Sequence, residues 1–242
     1  MVPLGNAGLL SLWESGQMLH PLDRGLLVVR SALARTADES VTDWPLGARN
    51  EILAKIHYEC FGAVLQGWTE CEACGEKLEF SVDSQALIRR QEDRNTEAIR
   101  VKGQTFRVPT SRDLAQIAGE HDVETAAMRL RDSCRIPDSE THCAEGEVMA
   151  AWSSEDLEEL GERMMRADPL AEITLSFECP SCKSASEQTL DLPAFLWAEI
   201  DAYARRLFEE IHVLAAAYGW SEENILALSE ARRALYLRMV QT

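Results

Sequence analysis

Cys71-Glu72-Ala73-Cys74-Gly75 and Cys179-Pro180-Ser181-Cys182 are the two stretches on which the reading of the fold turns. In each, two thiols two residues apart sit on a tight turn, where backbone amides can point at the sulfurs and one metal ion can take both. Strand-like segments flank both. Val64 to Thr69 reads as extended, and Leu78, Phe80 and Val82 alternate with polar residues beyond the first turn. Ile173, Leu175 and Phe177 alternate into the second turn, and an extended stretch from Ser186 to Leu190 leaves it. Two such pairs supply the four ligands that tetrahedral zinc prefers. Cys71, Cys74, Cys179 and Cys182 are therefore the expected ligands of one structural Zn2+, in a split zinc ribbon whose two β-hairpin knuckles are separated by 104 intervening residues. Four thiolates leave no open position for water or substrate, which argues for a brace and against metal catalysis. The alternatives are thiols without metal and a redox dithiol; the dithiol is the weaker, because neither pair opens a long helix that would depress a thiol pKa.

Working outward, apolar residues recur at helical spacing from Asn6 to about Arg35, interrupted near His20-Pro21, which predicts two short helices. Leu46, Leu53, Ile56 and Cys60 line a third helix that Gly62 ends. Between the cysteine pairs, Ala98 to Val101 and Thr105 to Val108 predict a second hairpin, and Thr110 to Asp113 resembles a helix N-cap, followed by short helices to about Cys134. From Asp138 to Asp168 ten acids meet two bases, a local charge of −8; its first half reads as a loop and Ser153 as the cap of an acidic helix that Asp168-Pro169 stops. Leu196, Ile200, Tyr203, Leu207, Ile211, Leu214 and Tyr218 then mark one face of a long helix ended by Gly219, with shorter helices starting at Ser221 and Ser229. The expected fold is α+β and mainly helical: a helical region at 1–62, the split zinc ribbon with its inserted hairpin, helices and acidic segment at 63–192, and a C-terminal helical tail at 193–242.

The chain of 242 residues carries 24 Lys+Arg against 41 Asp+Glu, a net charge of −17, and 46% hydrophobic residues. That composition is globular, and the acidity makes nucleic-acid binding unlikely unless bases gather on one face. The sequence holds no apolar run near the roughly 20 residues of a membrane span, and its start has no signal-peptide pattern, so a cytoplasmic location without membrane contact is expected. No nucleophile elbow, P-loop or dinucleotide fingerprint is present. His20, His57, His121 and His212 lack a partner at catalytic spacing and read as surface or core histidines. No enzymatic activity and no small-molecule substrate are expected. Cys134, His142 and Cys143 offer an alternative second metal site, while Cys60 reads as a core residue. Trp220, Ile225, Leu228 and Tyr236 place apolar surface on short helices near the C-terminus, either packed on the long helix or docked on another protein.

The stretch from His212 to Leu228, with Ala231-Arg232-Arg233 and Leu235-Tyr236, resembles the baseplate hub assembly proteins of T-even phages and related contractile tails. The matching elements are Tyr218, Trp220, Ser221, Glu222, Ile225, Leu226, Arg232, Arg233 and Tyr236, and the segment from Phe106 to Leu114 is similar to one found in the same proteins. The paired cysteines depart from the phage protein and look more like versions encoded beside bacterial contractile injection systems. The resemblance implies a non-enzymatic, chaperone-like or structural protein that binds baseplate or tail proteins and either assists assembly or joins a phage-like particle. A zinc-ribbon adaptor in transcription or another nucleic-acid process is the alternative, opposed by the charge. A hydrolase using the acidic segment ranks last.

Overall fold

A computed structural model describes residues 4–33, 40–92, 98–137 and 152–240. The chain packs as two units, one formed by Met1–Ala37 with Pro193–Thr242 and the other by Asp38–Leu192. The charge divides unequally between them. The first unit holds 8 Lys+Arg against 9 Asp+Glu, the second 16 against 32, so nearly the whole excess of acid lies in the second.

The first unit is helical. Its elements are α1 (Asn6–Gly16), α2 (Pro21–Ala32), α8 (Leu192–Tyr218), α9 (Glu222–Leu226) and α10 (Glu230–Val240). His20 caps α2, its Nδ1 accepting from the Leu22 amide at 3.3 Å, and Pro21 supplies a preset φ for the first turn. The long helix starts at Leu192, four residues before the first expected apolar position, and stops where Gly219 takes φ +67°. Leu207, Ile211 and Leu214 of α8 form a core with Leu10 and Ile225. Arg233 is fully buried beside it, donating from Nε to Glu210 Oε2 at 2.7 Å and from Nη1 to the Leu228 carbonyl at 2.8 Å. A buried pair of this kind is costly to break from one side, about 3–5 kcal/mol, because the remaining charge has no water to turn to.

The second unit contains a 3-10 turn (Val41–Asp43), α3 (Leu46–Phe61), β1 (Val64–Glu70), β2 (Lys77–Asp83), α4 (Ser84–Glu92), β3 (Ile99–Val101), β4 (Gln104–Phe106), α5 (Ser111–Ile117), α6 (Val123–Cys134), β5 (Arg135–Ile136), α7 (Ser154–Ala167), β6 (Thr174–Glu178) and β7 (Ala185–Thr189). All strand pairing is antiparallel, in sheets β1-β2, β3-β4-β5 and β6-β7. The mixed α+β class expected from the sequence is the class observed. The 3-10 turn, α4 and β5 have no counterpart in the sequence expectations; the two residues of β5 join the sheet through backbone bonds that leave no hydropathy signature. The expected acidic loop and its His142 and Cys143 fall in 138–151, outside the described residues. Phe106 anchors the core between the three-stranded sheet and α7, with Leu160 and Met164 packed against it and Trp152 edge-on at 5.7 Å.

The start of α3 is the joint of this unit. Asp168 Oδ2 accepts from the Gly47 amide at 2.7 Å, and Asn50 Nδ2 donates to the Leu170 carbonyl at 2.7 Å, so the turn after α7 is fixed to the first helical turn of α3. Arg49 bonds Asn50 Oδ1 through Nε and Nη2 and reaches Ser111 Oγ from Nη1 at 3.1 Å. Pro45 and Thr110 form a β-bridge, and the Leu46 amide donates to the Pro109 carbonyl at 3.1 Å. The segment from Phe106 to Leu114 is thus built into this joint. Thr110 and Asp113 form a reciprocal capping box at the start of α5, and Arg107 clamps both Asp113 oxygens at 2.6 and 2.9 Å.

Burial alone would raise the Asp113 carboxyl, but the Arg107 guanidinium and the Thr110 hydroxyl and amide outweigh it and hold it down at about 2. A depressed carboxylate contributes stability that is complete above its unfolded-chain pKa and lost as pH falls through the folded value. Asp113→Asn should therefore cost about 2 kcal/mol at neutral pH and flatten the decline in stability between roughly pH 4 and pH 2. Urea titrations of both proteins across that range check this.

Candidate metal centre

The two cysteine turns share one backbone design. The Cys71 amide donates to the Glu76 carbonyl at 2.8 Å and the Gly75 amide to the Cys71 carbonyl at 2.8 Å. Five residues on from Cys179 the pattern repeats, with the Cys179 amide on the Ser184 carbonyl and the Lys183 amide on the Cys179 carbonyl, both at 2.9 Å. The residue after each second cysteine is left-handed, Gly75 at φ +74° and Lys183 at φ +61°. Glycine adopts that conformation without strain; Lys183 is the position where sequence alone gave no sign of it.

The inner faces of the hairpins meet around these turns. Gly67 lies across from Phe80, whose ring occupies the space a Cβ at Gly67 would need, 2.4 Å from it. Phe80 packs edge-on to Phe177 with centroids 6.3 Å apart. Thr69 donates to the Gln188 side-chain oxygen, Gln188 Nε2 donates to the Glu70 carbonyl at 3.2 Å, and Ser181 Oγ donates to Glu76 Oε2 at 2.8 Å. These contacts bring together turns that are more than a hundred residues apart in the chain.

Cys71, Cys74, Cys179 and Cys182 consequently gather with all four sulfurs within 4.8 Å of one another. Cys71 Sγ stands 3.7 Å from Cys182 Sγ, and Cys74 Sγ 3.6 Å from Cys179 Sγ. Those separations are well beyond the roughly 2.05 Å of a disulfide. A tetrahedral ion with Zn–S distances of about 2.3 Å would space its sulfurs by about 3.8 Å, so the donor set fits such an ion in type, number and spacing. Cys71 and Cys179 are buried, with Leu78 and Phe177 against them, while Cys74 and Cys182 face solvent.

Backbone amides tune the sulfurs. The Cys182 amide lowers the Cys179 thiol, burial opposes it and the Ser181 amide assists, leaving it at about 7. Cys74 receives the Glu76 amide, but shared hydrogen bonds with Cys182, Cys179 and Cys71 outweigh that and push it up to about 12.

The other sequence candidates lie elsewhere. Cys134 is buried beside Phe106, with its thiol pushed up to about 11 mainly by burial, and Cys60 is partly buried on α3. His57 is buried with Nδ1 3.1 Å from Ser84 Oγ, a contact between α3 and α4 that sequence reasoning missed because α4 itself was not legible. In the helical unit Ile225 is fully buried, and Trp220 stacks on Tyr218 at 4.7 Å and meets Tyr236 edge-on at 4.9 Å. Leu228 is half-buried and lends its carbonyl to Arg233. Trp220 and Tyr236 pack against the core that holds Ile225 and the α8 residues, while Leu228 meets α10 through its carbonyl. No helix among the described residues is long and apolar enough to cross a membrane.

Fold and site together define a mixed α+β protein, rich in helix, whose four cysteines converge in an arrangement able to hold a metal ion. Residues 28–197 match the family described as T4 bacteriophage base plate protein, and the chain belongs to that family. The match includes both cysteine pairs and the segment from Phe106 to Leu114 and ends before the tail from His212 to Tyr236. No curated protein and no solved structure matches the chain. Membership supports a structural role associated with a phage baseplate and contact with other baseplate proteins.

Gly67→Ala should force the Phe80 ring off the inner face and destabilise the protein by about 1–3 kcal/mol. Thermal melts of the variant, with Gly67→Ala/Phe80→Leu as the relieving double substitution, measure it.

Proposed function

We infer that this protein is a non-enzymatic baseplate protein that takes part in assembling a phage-like contractile tail or injection-system baseplate, and that Cys71, Cys74, Cys179 and Cys182 hold one structural Zn2+. The observation that carries the metal reading is the meeting of four sulfurs on two turns of matching backbone geometry. Zinc binding returns on the order of 10 kcal/mol to the folding of small modules, and here it would add to the apolar contacts that Leu78, Phe80 and Phe177 make around the turns. With all four positions taken by sulfur, the ion would brace the hairpins as a split zinc ribbon and take no part in chemistry.

Family membership supports the baseplate role. The acidity of the second unit supports protein over nucleic acid as its partner, since a unit with 32 acids against 16 bases repels phosphate. In the helical unit, Trp220, Ile225, Leu228 and Tyr236 are the docking residues this reading assigns; Ile225 is itself fully buried, and Tyr218, Leu235, Met239 and Val240 are exposed apolar residues of the same unit. The protein works in the cytoplasm during assembly and either leaves or remains in the particle.

Elemental analysis of the purified protein should find one zinc per chain. Cys179→Ser should lose it and melt about 10 °C lower, the shift expected for roughly 4 kcal/mol in a chain of this size. Full metal content with an unchanged melt would end the zinc reading. For assembly, removal of the gene should leave tails without baseplates, and tagged protein should co-purify with baseplate subunits. Normal particles in its absence would end that reading whatever the metal result.

A further inference from the structure

The helical unit holds a groove of about 450 Å3 that neither the cysteine cluster nor the tail surface uses. Trp13 and Trp197 line it together with Met18 and Pro21 at the turn between α1 and α2, and with Ala194 and Ala198 of α8. Three charged residues also border it, Arg24, Arg205 and Asp201. Their sum is +1, in a chain whose net charge is −17.

The polar groups are already held in place. Trp13 Nε1 donates to Asp201 Oδ1 at 2.7 Å, and Arg205 Nε donates to Asp201 Oδ2 at 2.8 Å, so the one acid of the groove is satisfied from two sides. Arg24 is fixed through Nε on the Gly16 carbonyl at 3.1 Å and Nη2 on the Gln17 carbonyl at 2.6 Å, with its guanidinium carbon 4.9 Å from the Trp197 ring centroid. Among the described residues no hydrogen bond engages its Nη1. Gly16 makes this close packing possible, because a Cβ there would fall 2.3 Å from the Trp197 ring. Met18 stands 95% exposed at the edge, an apolar side chain with nothing of its own unit to cover it.

We propose that this groove docks a peptide segment of a partner protein in which an apolar or aromatic side chain lies next to a carboxylate. The indoles and Met18 take the apolar side chain. The carboxylate meets Arg24 and Arg205, whose charge exceeds that of Asp201 and which are arranged before the partner arrives, so little side-chain entropy is spent on binding. An acidic partner segment is repelled by most of this chain and accepted here, and that difference gives the site its selectivity. The inference concerns residues apart from the cysteines and stands or falls without the zinc.

A displayed library of random heptapeptides panned against the full-length protein tests it. Enriched peptides should carry Asp or Glu beside Phe, Trp, Leu or Met, and should move the indole N–H resonances of Trp13 and Trp197 in two-dimensional spectra. Ala198→Trp, which fills the groove from an exposed helical position, and Arg205→Gln, at a side chain 68% exposed, should each weaken binding about tenfold. Changing the peptide carboxylate to its amide should do the same. If Ala198→Trp disturbs folding, Arg205→Gln and the amide peptide decide the matter. Three results would overturn the proposal: enrichment without the acidic and apolar pair, binding indifferent to both substitutions, or a dimer in sedimentation that Ala198→Trp abolishes, which would make a second copy the occupant.

Discussion

Four sulfur atoms confined within 4.8 Å are the condition on which the acidic unit rests. At 3.6 to 3.7 Å the closest pairs are already in van der Waals contact. Thiolates repel at that spacing; thiolates around a divalent ion attract it strongly enough to supply folding free energy. The matching turns, the amides aimed at Cys179 and the stacked hairpin faces are the protein's side of this arrangement. Closing two hairpins across 104 residues is entropically expensive without a strong local bond, although the cost grows only slowly with the length enclosed. That slow growth is why helices, a third sheet and an acidic segment fit between the two halves.

A second constraint lies at the start of α3, where Asp168, Asn50 and Arg49 join the turn after α7 and the segment around Thr110 to one helix end. This joint is polar and buried, so each partner must be present for the others to be satisfied. Burial pulls the Arg49 pKa down, while Asp191 and Asp168 oppose the loss of its charge. The cysteine cluster and this joint both lie within the residues that the baseplate family shares.

Charge separates the two units as well as packing does. The second unit carries a large excess of acid, and the nearly neutral helical unit has exposed apolar residues and a groove bordered by two arginines and one aspartate. A protein of an assembly made of many subunits has use for both, since distinct chemistries discriminate between neighbours that a single hydrophobic patch would not.

The cysteine spacing, the flanking alternation, the long apolar stripe ended by Gly219 and the caps at Thr110 and Ser153 were all legible, because each is a local signal with a fixed period or a fixed offset. The sequence also placed the four sulfurs in one set, from ligand number alone. It could not reveal α4 or β5, or the left-handed turn at Lys183, which depend on neighbours distant in the chain. Nor could it show that Arg233 lies buried against Glu210, or that Trp13 and Arg24 share a groove with Trp197. Periodicity reports which face of an element is apolar. Which polar groups end up beside one another is settled by long-range packing, where desolvation makes every unpaired group costly and so selects the partners.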